Sequence, residues 1–403
     1  LASTALLLPS ARCLFDQPVQ VKVEGLRSRQ KGVVFSSSAT YRTDGSGKID
    51  LLRDPSLSGS YFGVEPMGLL WSMKAETLHK RFQKSCALHP HVVKFSVHEE
   101  DREDRMLAEV TNERPLTGNG VSRVPVKGRN FQGVLFTPPE GPFPAVLDLC
   151  TLMCEKRASL LASRGFMVLT VPVYTDHPDN IKQMHLDHFK EAVDFLQQQP
   201  KVGSKGVGIM ARSKGGDIAL SLAAFVSGVK AVVSINGCNA VVSVPLYYQN
   251  HQIISPLGSD ITKLITTESG ASIIKYGLGD PLAEENKYSL VPTEQAKGHF
   301  LFVASEDDLN WDSKAYMDQM AERLKHHGKE NFETLCYPGA GHLLEPPYGP
   351  YCPSSFHRIV HHVVLWGGEA RAHAEAEVHL WSKIQEFFRT HLSCDAAQTK
   401  AKS

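Results

Sequence analysis

Hydrophobic and polar positions change rhythm about a third of the way along the chain. Up to about Val121 the apolar stretches are short and broken by turns. Val19 to Val23 alternates, Asp44-Gly45-Ser46-Gly47 reads as a turn, and Ile49 to Leu52 resumes the apolar pattern. Ser58-Gly59-Ser60 and Gly63 precede the apolar run Met67 to Met73, and Val92 to Val97 alternates again. Helical periodicity is weak here, so residues 1–122 are expected to form a small antiparallel sheet or sandwich.

From Val124 strands and helices take turns. Gly133 to Phe136 and Ala145 to Leu149 read as strands, Glu155 to Ser163 as a helix ending near Gly165, and Phe166 to Val173 as a strand. His185 to Gln199 is amphipathic, with Leu186, Phe189, Val193 and Leu196 on one face. Strands follow at Val207 to Ala211, Ala231 to Ile235, Phe300 to Ala304 and Phe332 to Tyr337. Helices are expected at Gly215 to Val226, Lys314 to Leu324 and Ala374 to His391. Such alternation predicts an α/β domain over residues 123–403, a parallel sheet with helices on both faces. The loop-rich stretch Pro245 to Pro292 is a candidate lid.

Composition narrows the function classes. The 403 residues carry 43 basic and 43 acidic side chains, so charge gives no reason to expect nucleic acid or an anionic membrane as partner. No apolar run approaches the ~20 residues a bilayer span needs. Among eight cysteines only Cys150 and Cys154 are close, and their spacing fits neither a zinc site nor a redox C-x-x-C motif, so free thiols in a reducing compartment are expected. The chain opens on Leu1, which reads as a fragment or processed product. Leu6-Leu7-Leu8 is too short for a signal-peptide core, and Ala401-Lys402-Ser403 lacks the last Leu of a peroxisomal address. The expected compartment is cytoplasmic, or the mitochondrial matrix if a transit segment was removed.

Candidate chemistry lies in the second domain. Val207 to Gly216 reads as strand, sharp turn at Ser213 and helix start, the form a nucleophile elbow needs to lift a hydroxyl clear of a sheet edge. The pattern is Ala211-x-Ser213-x-Gly215, one methyl more than the glycine form, and by itself equally reads as a capping Ser at a helix start. The backbone N–H of Lys214 would open the helix and point toward a developing oxyanion. Strand Phe300 to Ala304 runs into Asp307 and Asp308, either of which suits an acid or a helix cap. The strand ending at Tyr337 runs into Pro338-Gly339-Ala340-Gly341-His342, a loop free to swing over the sheet edge. Ser, acid, His, each just after a strand, is the chain order of an α/β-hydrolase triad.

At these residues the sequence resembles the family of type I acyl-CoA thioesterases and bile acid-CoA:amino acid N-acyltransferases. The resemblance spans nearly the whole chain, through Val64-Glu65-Pro66-Met67-Gly68-Leu69-Leu70-Trp71, Gly141-Pro142-Phe143-Pro144, Arg157 to Ala162 and Ser213-Lys214-Gly215-Gly216. It continues through Ile235-Asn236-Gly237, Gly341-His342, Glu345-Pro346-Pro347-Tyr348 and Trp366-Gly367-Gly368-Glu369. It implies a β-sandwich before an α/β-hydrolase domain, with Ser213 as nucleophile, Asp308 rather than Asp307 as acid, and His342 as base. Ser at 213 resembles the thioesterase branch; the amino-acid-conjugating branch carries Cys. The implied reaction is hydrolysis of fatty acyl-CoA to acid and CoA, with neither metal nor redox cofactor. The alternatives are an acyl-CoA:amino acid N-acyltransferase and a weakened acyl-CoA-binding relative.

Three departures from the family pattern bear on that. A glycine-rich loop that supplies a second oxyanion donor is replaced by the shorter Leu149-Cys150-Thr151-Leu152-Met153-Cys154, leaving the N–H of Cys150 or Thr151 for the role. Around Arg29 to Val34 the chain is about one strand short. Arg212 stands where an apolar residue is usual, and is expected to meet a CoA phosphate or fold outward.

Overall fold

The computed structural model describes residues 5–8, 10–17, 22–24, 30–34, 37–75, 77–83, 86–99 and 102–394. Its centre is an eight-stranded sheet built from β1 (Ser122–Lys127), β2 (Gln132–Thr137), β3 (Phe143–Cys150), β4 (Met167–Pro172), β5 (Val202–Arg212), β6 (Val229–Ile235), β7 (His299–Ser305) and β8 (Phe332–Tyr337). Their order across the sheet is β8-β7-β6-β5-β3-β4-β2-β1. β3 to β8 are parallel, while β2 runs antiparallel to both β1 and β4.

Period-two alternation explains the two helical layers. In β3, Ala145, Leu147 and Leu149 face one core and Val146 the other; in β7, Phe300, Phe302 and Ala304 are divided from Leu301 and Val303 in the same way. Helices α2 (Leu186–Gln197), α3 (Lys214–Phe225) and α4 (Ser313–His326) cover the first face. Helices α1 (Lys156–Ala162) and α5 (Ala370–His391) cover the second. Both faces of the central parallel strands are therefore dry and those strands read as apolar runs, while the edge strand β8 stays half-exposed.

The N-terminal region packs two small antiparallel sheets around one core, as expected of a sandwich. Five strands run in the order Ser58–Gly59, Ser37–Tyr41, Gln30–Val34, His91–Glu99, Arg102–Arg114, and three in the order Ala5–Leu7, Lys22–Glu24, Ile49–Asp50. Ala39, Val93, Phe95 and Val97 from the larger sheet meet Ile49 from the smaller. The segment that departs from the family pattern near Arg29 supplies Gln30–Val34, paired on both sides.

Several local expectations shift. Met67 to Met73 is a short helix at Gly68–Trp71, buried throughout, because a contiguous apolar run has no face to give to solvent. Ile49 to Leu52 leaves the sheet after Asp50, whose carboxylate accepts from Leu52 N and whose own N–H donates to Asp54, closing a turn. Of Val19 to Val23, residues 19–21 lie outside the described residues, and the strand there is Lys22–Glu24. The Pro245 to Pro292 stretch holds a hairpin, Leu246–Tyr248 with His251–Ile254, followed by short 3-10 turns. Its Leu257, Leu278 and Leu290 pack on Trp311 and Tyr316, so this segment covers the loop that carries Asp308. Among the described residues no helix is long and apolar enough to cross a membrane.

Candidate active site

β5 delivers Ser213 through a turn that most residues avoid. Ser213 sits at φ 58° and ψ −128°, between the last strand residue, Arg212, and the first residue of α3, Lys214. A side-chain-bearing residue in such a region costs about 1–3 kcal/mol and persists only when its neighbours dictate it. They do so here: Ser213 N donates to Ile235 O at 3.0 Å, and Gly216 N donates to Ser213 O at 2.8 Å. Gly215 is required by close approach, since a Cβ there would stand 2.8 Å from Leu149 O. Ala211, by contrast, is fully buried and its methyl is accommodated, meeting a Cβ at 215 only at 3.4 Å. The Ser213 hydroxyl caps no helix N–H, so the bland alternative of a capping serine does not describe it.

Asp308 follows β7 and is 1% exposed. Its carboxylate accepts from four donors. Oδ1 takes Asn310 N at 2.8 Å and Trp311 N at 3.0 Å; Oδ2 takes Ser313 Oγ at 2.6 Å and His342 Nδ1 at 2.7 Å. Asp307 is exposed and its backbone N–H donates to Ala340 O, so of the two adjacent acids only Asp308 meets the histidine. A carboxylate facing only donors obliges Nδ1 to carry the ring proton and leaves the ring's lone pair on Nε2.

His342 does not swing freely, as its glycine-bearing loop suggested. Gly341 N donates to His373 Nδ1 at 3.0 Å, and His373 Nε2 donates to Leu343 O at 3.0 Å, so one side chain of α5 grips the loop on both sides of His342. His342 N donates to Trp366 O, and the Trp366 ring stacks on the imidazole at 5.6 Å and 14°. Behind Trp366 lies His357, whose pKa is lowered to about 4 by burial and then by proximity to His342.

The structure thus joins Asp308 and His342 directly and brings Ser213 to the same rim through the ladder. Asn236, next to the carbonyl that holds Ser213, donates from its own N–H to Val303 O; its Nδ2 donates to His342 O at 2.9 Å and its Oδ1 accepts from Ser305 N. Among the described residues no hydrogen bond joins Ser213 Oγ to His342, and Nε2 lies 3.3 Å from Asn310 Nδ2. Of the two expected oxyanion donors, Lys214 N opens α3 and has no carbonyl four residues back within the helix. Cys150 follows Leu149, the residue that abuts the elbow at Gly215.

Arg212 corrects an expectation. It neither reaches outward nor stands free for a phosphate: its Nη1 donates to Glu345 Oε1 at 2.8 Å and to Leu344 O at 2.9 Å. Glu345 also takes Arg81 from the N-terminal region. Burial pushes the Glu345 carboxyl up, but Arg212 and Arg81 outweigh it and hold the group well below the usual carboxylate range. The Lys214 side chain is spent likewise, donating to both Asp217 oxygens and to Val242 O. Burial pushes the thiols of Cys150 and Cys238 up to about 12, so neither supplies a thiolate beside the serine. Asn310, Ser313 and His373 were missed in the sequence; the run from Asp308 to Ser313 carries no periodic signal, and His373 is one of 18 histidines.

Comparison with known proteins bears on this geometry. The family described as acyl-CoA thioester hydrolase/BAAT N-terminal region matches residues 16–128, and BAAT / acyl-CoA thioester hydrolase C terminal matches residues 184–394. Human "Acyl-coenzyme A thioesterase 1" is 40% identical over 412 residues, covering 97% of this chain and 97% of that protein. Human "Acyl-coenzyme A thioesterase 2, mitochondrial" is 39% identical and covers 97% of this chain and 85% of that protein. Among solved structures, the acylaminoacyl peptidase of Pyrococcus horikoshii covers 98% of this chain and 58% of its own length at 14% identity, with a TM-score of 0.43. On the sequence matches, the chain belongs to the acyl-CoA thioester hydrolase/BAAT family.

Proposed function

We propose that the protein is a serine acyl-CoA thioesterase with Ser213 as nucleophile, His342 as base and Asp308 as the acid that orients it. The observation that carries this is the 2.7 Å bond from His342 Nδ1 to an acceptor-only Asp308, which leaves a basic Nε2 on the rim where β5 ends at Ser213. Family membership and the relatives' thioesterase names support an acyl-CoA substrate. The two-domain division, a sandwich over residues 1–122 and a hydrolase domain over 123–403, is part of the same proposal.

As Ser213 Oγ attacks the thioester carbonyl, its proton passes to His342 Nε2 while Asp308 steadies the imidazolium. The N–H groups of Lys214 and Cys150 receive the oxyanion. Collapse breaks the C–S bond, and the CoA sulfur leaves with the Nε2 proton. Water then gives a proton to Nε2 and attacks the acyl-serine; the acid departs and Ser213 Oγ recovers its proton. Serine rather than cysteine at 213 favours water over an amine as acceptor. An acyltransferase would instead form an N-acyl product when glycine or taurine is supplied.

The test is CoA thiol release across acyl-CoA chain lengths with wild type and Ser213→Ala. Hydrolysis that Ser213→Ala abolishes is expected; hydrolysis undiminished in that variant removes Ser213 from the mechanism.

A further inference from the structure

Asn310 sits against the one nitrogen that the chemistry needs free. It lies in the turn between β7 and α4, and its N–H donates to Asp308 Oδ1 at 2.8 Å, so the acid that orients the imidazole also fixes this residue. The side chain is buried at 1% exposure. Its Nδ2 is 3.3 Å from His342 Nε2, and its Oδ1 is buried without a hydrogen-bond partner. Because Nδ1 holds the ring proton, Nε2 offers a lone pair and the amide donates to it. An amide oxygen stranded in the interior is costly and needs a reason.

We propose that Asn310 is a two-position partner of the base: its amide N–H caps the Nε2 lone pair at rest, and its Oδ1 turns to accept from Nε2–H once the ring carries the serine proton. This rests on the serine-hydrolase reading of the same site. The step balances. The Ser213 O–H bond breaks and the Nε2–H bond forms as Oγ bonds to the carbonyl carbon. The Asn310 N–H···Nε2 contact opens and Oδ1···H–Nε2 replaces it, with no proton gained or lost by Asn310. Turning an amide by half a turn about its Cβ–Cγ bond exchanges nitrogen and oxygen in place, so the end state fills the same space and the NH₂ takes the position the oxygen left. The stranded oxygen acquires a donor when the ring is charged, the stage at which such a bond is strongest.

The other groups facing the ring do not compete for Nε2. Asp308 holds Nδ1, Trp366 stacks on one face, and Trp311 stands 6.1 Å away between centroids. His357 lies beyond Trp366 and stays neutral at pH 7.

The test uses the full chain with ¹⁵N-labelled histidine, His342 being identified by its loss in His342→Gln, alongside thiol-release kinetics. Asn310→Ala is expected to move the resting Nε2 resonance toward that of an unbonded ring and to lower kcat by ~10–100-fold with KM little changed. Asn310→Asp keeps the shape but only accepts, so it should hold the ring protonated. The His342 titration and the acid limb of kcat/KM then rise by at least ~1 pH unit. An Nε2 resonance unmoved in Asn310→Ala, a wild-type titration in Asn310→Asp, or a change confined to KM would each overturn the proposal. Should Asn310→Ala not fold, the Asp variant still decides. The resonance arm needs no turnover, so its failure is distinct from the failure of the thioesterase reading, which Ser213→Ala tests.

Discussion

Replacing Asp308 with Asn tests the tautomer argument most sharply. All four hydrogens that reach this carboxylate come from donors, and two of them are backbone N–H groups that cannot turn away. An amide at 308 must therefore keep its oxygen toward Asn310 N and Trp311 N and present its NH₂ to Ser313 and His342. The Ser313 hydroxyl can rotate and accept, but the imidazole can accept at Nδ1 only by moving its proton to Nε2. A ring protonated at Nε2 has no lone pair for the Ser213 proton. The equivalent change in a serine protease, a worked case in general enzymology, lowers kcat ≈10⁴-fold. A loss of ~10³–10⁴-fold, about 4–5.5 kcal/mol of barrier, is expected here. Asp307→Asn should change kcat less than ~2-fold, because that side chain is exposed and the histidine is bonded to its neighbour. The assay is thiol release at saturating acyl-CoA, with circular dichroism to establish that both variants fold. Equal losses in the two variants, or a loss under ~10-fold in Asp308→Asn, would refute the reasoning.

Three further outcomes follow from the same geometry. Ser213→Ala should retain the thermal stability of wild type within about 0.5 kcal/mol, since the hydroxyl caps no helix N–H; a large fall in Tm would assign the serine a structural role. Gly215→Ala should destabilise by about 1–3 kcal/mol and depress kcat, because its Cβ meets Leu149 O at 2.8 Å; urea unfolding at wild-type stability would mean the elbow has slack. Glu345→Gln should cost about 3 kcal/mol at pH 7, the lower end for breaking a buried ion pair, as Arg212 and Glu345 keep 16% and 17% exposure. The folded carboxyl lies below its unfolded value of about 4.3, so this contribution is full above that pH and fades as pH falls through the folded value. The gap between wild type and Glu345→Gln in urea unfolding should therefore shrink below about pH 4; a gap that widens there would contradict the linkage.

What the sequence revealed and what it hid divide along a physical line. Helices α2, α3 and α4 fell within one to two residues of their expected ends, because each buries one stripe against a sheet already marked by apolar runs. The last helix begins at Ala370, four residues before its expected start, since the Glu369 carboxylate caps Arg371 N and Ala372 N without any apolar mark. The strand Arg102–Arg114 escaped notice because its pairs include ions: Arg105 meets Glu99 and Glu109 meets Lys94, so no clean alternation survives. The pairing of Asp308 with His342 was legible because each follows a strand. Asn310, Ser313 and His373 were not, because their partners are far in the chain or turn on orientation, which spacing does not encode.

Arg212 shows why local oddities need the whole fold to be read. A cation in place of an apolar residue beside Ser213 looks like damage to the site or a hand for phosphate. Buried alone it would be strongly destabilising. The molecule instead supplies Glu345, three residues after His342, and shares that carboxylate with Arg81 from the N-terminal region. The Glu345 N–H in turn donates to Glu377 Oε2 at 2.6 Å, on the helix whose His373 grips the His342 loop. Arg212, the loop after His342, the last helix and the N-terminal region are therefore tied into one largely buried network. Removing Arg81 should then disturb turnover without touching substrate chemistry: Arg81→Met leaves Glu345 to Arg212 alone. A fall in kcat and Tm together is expected, with unchanged reactivity of Ser213 toward a small phosphonate. A variant that alters KM for acyl-CoA and nothing else would instead make Arg81 a substrate contact.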